Sequence, residues 1–221
     1  SQRILEILYP HFLAPVPSML IAQIKPDLTD AALVSGATIA RASTLQGMTS
    51  RAGSTECQLR TAHDVTLWPL EIGSAEYFSH ASNLPLSNKP EWKRFGGGVR
   101  VSLKTTAGLD FSQLQLKDLR LHCAGTDDMA YRLHEMVVGN TIGVLVLAGK
   151  GNATRHVALE PDVIEPVGFG EDQALLPVTL RGFEGYRLLQ EYFAFPQRFL
   201  FFDICGIGEA LRELGGQEVE I

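Results

Sequence analysis

The sequence has little cysteine and no long apolar run, and each shortage excludes a class of protein. The three cysteines, Cys57, Cys123 and Cys205, lie far apart and form no Cys-x-x-Cys pair, so no zinc or other metal site is expected. Each has apolar neighbours and is predicted to be a small core residue of a protein in a reducing cytoplasm. No apolar run reaches the roughly 20 residues that span a bilayer, and no signal-peptide pattern opens the chain. We therefore expect no membrane insertion.

The chain also has fewer basic than acidic residues. The chain carries 19 Lys+Arg against 25 Asp+Glu, a net charge of −6, which argues against nucleic-acid binding. Most of the excess negative charge lies in the last third of the chain, since residues 151–221 hold 5 basic and 12 acidic residues. The favoured interpretation of this acidic third is a solvated surface, and the alternative is a field that steers a basic partner.

No catalytic motif is present. The six histidines form no His-Glu-x-x-His pattern, and no serine or cysteine nucleophile sits in an elbow motif. His63 and Asp64 are adjacent in a predicted strand, so their side chains point to opposite faces. The paired acids Glu171 and Asp172 are the best remaining candidates, but acids that follow glycine are more typical of a loop or helix cap. The sequence predicts no enzyme and no cofactor.

Strand patterns dominate the first half of the chain. A proline-rich segment, residues 9–19, predicts an extended arm, which either packs on its own domain or crosses a neighbouring subunit. Residues 19–24 then predict a strand. Alternating residues from 37 to 80 without intervening helices predict a β-sandwich or meander, with Pro69 at an edge or bulge.

The second half alternates helices and strands. Thr126 and the acids after it predict a helix to about residue 138, followed by strands near 142–147 and 155–159. Residues 130–133 resemble residues 185–188, and the strands that follow repeat the same spacing. The hypothesis is a β-rich α+β chain whose sandwich or meander region precedes two related α+β units. The predicted division is an arm at 1–25, a β-rich domain at 26–95, and units at 96–160 and 161–221.

The stretch from Gly168 to Gly206 holds seven of the eleven phenylalanines. It predicts a helix that ends before Pro196, then a buried strand over residues 198–204. An apolar stripe runs along the helix, opposite Arg187 and Glu191. The stems of Tyr186 and Arg187 are expected over the core with their polar tips in solvent. Aromatic and arginine residues suited to a protein interface follow as candidates: Tyr9, Phe12, Trp68, Arg187, Tyr192, Phe193 and Phe195.

Three long segments resemble one protein family. They are GYRLLQEYFAFPQRFLFFDICG from Gly185, ILYPHFLAPVPSMLIAQI from Ile7 and CQLRTAHDVTLWPLEI from Cys57. Together they resemble the type VI secretion baseplate family TssF, also called VasA or ImpG. Val178, Thr179 and Leu180 depart from the Tyr-Pro-Pro run that the family often has there, which bears on the conformation of that loop. The family's proteins are longer, so the chain is expected to be an internal fragment.

The resemblance implies a structural role in a phage-tail-like contractile injection system of Gram-negative bacteria. The implied partners are TssG, TssK, TssE, the VgrG spike and a second TssF copy, in a cytoplasmic baseplate at the inner face of the inner membrane. From the residues alone, two other classes stay open. One is a small-ligand-binding β-sandwich module that is not catalytic, and the other is a hydrolase with a deep pocket lined by Glu171, Asp172 and a histidine. A broad exposed aromatic surface would favour the structural role.

Overall fold

The computed structural model describes residues 3–4, 13, 15–27, 30–47, 57–79, 84–85, 92, 96–149, 154–178 and 183–221. Within these residues the chain forms twelve short strands and three α-helices, which confirms a strand-rich α+β fold. The strands are β1 (Ala37–Ile39), β2 (Thr44–Gln46), β3 (Gln58–Arg60), β4 (Val65–Leu67), β5 (Leu70–Phe78), β6 (Gly98–Thr105), β7 (Leu119–His122), β8 (Val144–Ala148), β9 (Arg155–Leu159), β10 (Ile164–Pro166), β11 (Phe201–Ile204) and β12 (Glu218–Glu220). The helices are α1 (Asp127–His134), α2 (Glu184–Ala194) and α3 (Ile207–Leu214).

The chain divides into two compact units, each assembled from separate segments. One unit comprises Ser1–Ile24, Thr38–Thr66 and Val167–Leu200, and the other comprises Lys25–Ala37, Leu67–Pro166 and Phe201–Ile221. The division predicted from the sequence into four consecutive segments stays a prediction, as does the relation between its last two units.

The largest sheet has five strands in the order β5-β6-β12-β8-β9, and all four strand pairs within it are antiparallel. Its central strand, β12, comes from the end of the chain and lies between β6 and β8. Helix α3 packs against β8 and β9. The core of this unit consists of apolar side chains that are almost wholly buried, among them Leu103, Val146, Ile207, Leu211 and Val219.

A second sheet of the same unit has three strands in the order β10-β11-β7. The predicted strand over residues 198–204 is wrong in its first half, because a 3₁₀-helix occupies Pro196–Leu200 and the strand begins only at Phe201. Phe201 and Phe202 therefore face opposite sides of a sheet, whereas Phe199 belongs to the helical turn before it.

Two other local predictions are wrong. Residues 19–24 form no strand, and they are mostly exposed with no ladder partner among the residues described. A strand needs a neighbour for its backbone N–H and C=O groups, and a short apolar segment alone does not supply one. Cys57 is exposed rather than a core residue, while Cys123 is buried as expected.

Helix α1 continues from His134 into a π-helix, Glu135–Gly139, which lies within the helix predicted to about residue 138. Burial lowers the pKa of His134, and a hydrogen bond with the backbone of Phe201 raises it by less. The Nε2 atom of His134 is buried without a hydrogen-bond partner in the described structure. The ring is thus held in an environment that disfavours its protonated form.

Acidification is expected to weaken the fold through His134. Because its folded pKa lies below the unfolded value of 6.5, the unfolded chain binds more protons as the pH falls through 6.5, and stability is lost there. His134→Gln removes the titrating group, so urea unfolding at pH 7.5 and pH 5.5 should show a smaller difference in the variant. An equal pH-dependent loss in both proteins would contradict this assignment.

Candidate functional site

Helix α2 presents its apolar stripe to solvent and its charged residues to the interior. Tyr186, Leu189 and Tyr192 are about half exposed, and Phe193 is 81% exposed. Glu191, on the other side of the helix, is 0% exposed. The sequence correctly predicts two distinct faces and the end of the helix at Phe195. A water-soluble helix usually buries its apolar face, so this orientation leaves an apolar surface that a partner can cover.

The carboxylate of Glu191 organises the buried side of the helix. Its Oε1 accepts hydrogen bonds from the backbone N–H groups of Leu175 and Leu176, at 3.1 and 3.0 Å. The same oxygen accepts from Nη1 of Arg187 at 3.1 Å, and Oε2 accepts from Nη1 of Arg198. A carboxylate can lie in such a place only because charged donors and backbone donors replace the water it loses.

Arg187 lies under the helix rather than on its surface. Its Nη2 donates to Oε1 of Glu184 at 2.7 Å, and its side chain is only 6% exposed in that ion pair. The prediction that its guanidinium points into solvent is therefore wrong. The physical reason is the (i, i+4) spacing to Glu191, which offers the cation a buried carboxylate on its own helix.

Arg198 closes the network from the turn after the helix. Besides Glu191, it donates through Nη2 to the backbone carbonyl of Gln173. Burial, followed by the positive charge of Arg187, lowers the pKa of Arg198 to about 10, so it remains charged at neutral pH. Through Glu191 and Arg198, the loop at residues 173–176 is bonded to the last turn of α2 and to the 3₁₀ turn that follows it.

The aromatic side chains on the exposed side of α2 form two groups of rings in contact. The ring centroids of Tyr192 and Phe193 lie 5.6 Å apart at near right angles, and those of Phe183 and Tyr186 lie 5.5 Å apart in the same way. Tyr192 also lies 6.0 Å from the buried ring of Phe199. These separations are typical of favourable aromatic pairs, which restrict the motion of the rings.

We define the α2 aromatic surface as the five exposed large side chains on and before this helix: Phe183, Tyr186, Leu189, Tyr192 and Phe193. Given that large aromatic side chains bury 150–250 Å² each, the surface exposes on the order of 600 Å² of side chain. An exposed apolar area of this size is at the upper end of the largest patch on a typical soluble monomer, and such patches are often functional. The surface is suited to binding another protein.

The other predicted interface residues lie in different settings. Tyr9 and Phe12 fall outside the described residues. Trp68 is half-buried in the turn between β4 and β5, and Phe195 is half-buried at the C-cap of α2. The structure brings Arg187, Tyr192 and Phe193 together on one helix and adds Phe195 at its end.

The sequence also raised an acidic pair as a possibility, and it predicted neither a metal site nor a membrane span. Glu171 and Asp172 are both exposed in a turn. Within the ranges the structure describes, no group of three His, Cys, Asp or Glu side chains is placed to hold a metal ion. Over the same ranges, no helix has the length and hydropathy to cross a membrane.

Sequence reasoning missed Glu191 and Arg198 as a structural pair. A signal was present, because Arg187 and Glu191 have helical ion-pair spacing and Arg198 follows the helix end closely. What the sequence could not supply was the loop at residues 173–176, whose backbone N–H groups complete the site.

Comparisons with known proteins agree along the whole chain. The family described as "Type VI secretion system, TssF" matches residues 1–221. The chain is 42% identical over 221 residues to the type VI secretion system component TssF1 of Pseudomonas aeruginosa, and it covers 100% of itself and 35% of that protein. The chain thus spans about a third of the curated relative's length.

A solved structure shares the fold. A cryo-electron microscopy structure of the type VI secretion system TssK-TssF-TssG baseplate subcomplex contains a chain that aligns with a TM-score of 0.73 at 24% identity, over 99% of this chain and 38% of that one. This likeness concerns the fold, and the family assignment rests on the match of the family over every residue. The chain belongs to the TssF family of type VI secretion systems.

Proposed function

We propose that this chain is a structural segment of a type VI secretion baseplate that works by binding other proteins and not by catalysis. The observation that carries the proposal is the α2 aromatic surface, whose side chains are about half exposed or more while Arg187 and Glu191 on the other face of the helix are buried. A structural subunit needs a preformed apolar contact of this kind, whereas an enzyme needs a polar pocket.

The proposed partner at this surface is TssG. Support comes from the solved relative, which was determined as a subcomplex with TssK and TssG. The wider proposal includes TssK and TssE as further partners, assembly around the VgrG spike and contact with a second TssF copy. The site of action is then the cytoplasmic baseplate at the inner face of the inner membrane.

The predicted interface residues have different proposed roles. Tyr192 and Phe193 make the direct contact, and Phe195 contributes its exposed edge. Arg187 acts indirectly, because its guanidinium holds the helix from beneath through Glu191. Tyr9, Phe12 and Trp68 are proposed contacts of other surfaces.

Removing two side chains of the α2 aromatic surface tests the proposal. In the full-length protein co-expressed with its cognate TssG, Leu189→Ala combined with Phe193→Ala should weaken the complex at least about 30-fold, the loss expected for an interface hot spot. The melting temperature should stay within a degree or two, since both side chains are largely exposed. Size exclusion with light scattering measures the complex.

Met129→Ala provides the matched control, because Met129 is an equally exposed apolar side chain on helix α1. That variant should bind TssG as the unaltered protein does. Retained binding by the Leu189/Phe193 variant would place the TssG contact elsewhere, and a large fall in its melting temperature would mean that these side chains belong to the core.

A further inference from the structure

Strand β5 forms one edge of the five-stranded sheet, and it is long and mostly exposed. It pairs with β6 along one side from Leu70 to Phe78. The strand order places no described strand on its other side. All seven residues between its two ends are exposed, on both faces of the strand. A nine-residue free edge of this kind can accept a further strand from a binding partner.

A β-bulge aligns the two acids of this strand. The register shifts between Ile72 and Ser74, so Gly73 is the extra residue. Glu71 consequently lies opposite Lys104 and Glu76 lies opposite Arg100, four residues apart on β6. Because side chains on a strand alternate with period two, both carboxylates project from the same face, roughly 13 Å apart along the strand.

The two basic residues of β6, Arg100 and Lys104, form ion pairs with strand β12, on the side away from β5. Nζ of Lys104 lies 3.4 Å from Glu218, and Nε of Arg100 lies 3.5 Å from Glu220, both on β12. Charges therefore alternate across the sheet from acid on β12 to base on β6 to acid on β5. Glu71 and Glu76 form no ion pair with any residue in the described part of the chain.

The opposite face of β5 is apolar and also open. Ile72 lies opposite Leu103 and Tyr77 lies opposite Val99, on the side of the sheet that carries the buried residues Leu103 and Val219. Although Leu103 is fully buried, Ile72 and Tyr77 are 60% and 63% exposed. The buried core of the sheet therefore reaches β6 but not β5, whose apolar side chains on the same face are exposed.

We infer that the free edge of β5 binds an extended strand of a protein partner, and that this strand carries basic residues on one face and apolar residues on the other. The next strand in the alternating charge pattern should place Lys or Arg opposite Glu71 and Glu76, which requires a spacing of i and i+4. Its intervening residues should cover Ile72 and Tyr77. This contact is separate from the α2 aromatic surface and does not depend on TssG binding there.

A designed peptide tests the inference on the full-length protein. The probe is a fluorescently labelled peptide containing Lys-Val-Thr-Val-Lys-Val, and its counterpart has Glu in place of both Lys. At low salt the basic peptide should bind, as measured by fluorescence anisotropy, and should slow hydrogen exchange of amides within residues 70–78. The acidic peptide should not bind. Glu71→Lys combined with Glu76→Lys should weaken binding about tenfold or more, as two cross-strand charge pairs become repulsive.

Glu209→Lys combined with Glu213→Lys is the matched control, since both residues are exposed on helix α3 and the change in net charge is identical. It should leave binding unchanged. The inference is overturned if the control loses affinity equally, if both peptides bind alike, if neither binds, or if the β5 amides are already protected in the free protein because its own chain covers the edge.

Discussion

Replacing Glu191 with alanine is expected to destabilise the protein by about 3–5 kcal/mol, the cost typical of removing one partner from a buried ion pair. The carboxylate is wholly buried between Arg187 and Arg198. Without it, two guanidinium groups would remain buried near each other, and the backbone N–H groups of Leu175 and Leu176 would lose their acceptor. Urea unfolding followed by circular dichroism measures the loss.

Glu184→Ala is the matched control for that variant. Glu184 also pairs with Arg187, at 2.7 Å, but its side chain is 43% exposed, so water can replace it. Its removal should cost no more than about 1 kcal/mol. If the two variants lost similar stability, the buried network would not be what holds α2 in its orientation.

Gly208→Ala should destabilise the protein by about 3 kcal/mol or more, at or above the upper end for an overpacked core. A Cβ at Gly208 would lie 1.8 Å from the carbonyl oxygen of Leu116. The atom it meets is backbone and cannot rotate away, and the N–H of Gly208 donates to Lys117 O at 3.0 Å across the same contact. Helix α3 would have to separate from the segment before β7.

Gly139→Ala is the comparison for this prediction, because a Cβ there meets nothing within 4 Å. That variant should keep its stability or gain up to about 1 kcal/mol from the lower entropy of its unfolded chain. Thermal or urea unfolding distinguishes the two glycines. Equal stability of both variants would mean that α3 does not approach Leu116 as closely as the structure places it.

Local elements were predictable where local chemistry determines them. The predicted strand at 155–159 coincides with β9, and the helix after Thr126 begins at Asp127 as its acidic first turn indicates. Helix α2 ends at Ala194 because the following residues, Phe195 and Pro196, disfavour further helix. In each case the determining residues lie within one or two turns of the element.

Long-range arrangements were not predictable. The sheet order depends on β12 entering between β6 and β8, and no local pattern in Glu218–Glu220 specifies those neighbours. The mostly apolar residues 19–24 were predicted to form a strand, but no neighbouring strand is available there among the described residues. A strand forms only when a second strand pairs with it, and the sequence of one segment does not identify that second strand.

The orientation of helix α2 could not be predicted from the sequence either. The period of α2 separates an apolar face from a charged face, but it does not say which of them meets the core. Glu191 determines the orientation, because three of the four groups that donate to it, those of Leu175, Leu176 and Arg198, lie outside the helix. The choice of aromatic residues as interface candidates was made from the sequence and stays a prediction.

Photo-crosslinking from the α2 aromatic surface tests the central claim most directly. The photoreactive amino acid p-benzoylphenylalanine would replace Phe193 in the full-length protein, and Glu209 in a control, with cognate TssG co-expressed. We expect irradiation to give a TssF–TssG adduct from position 193 and none from position 209, which lies on helix α3. A cross-link from position 193 to the protein's own chain, or equal adducts from both positions, would contradict the account.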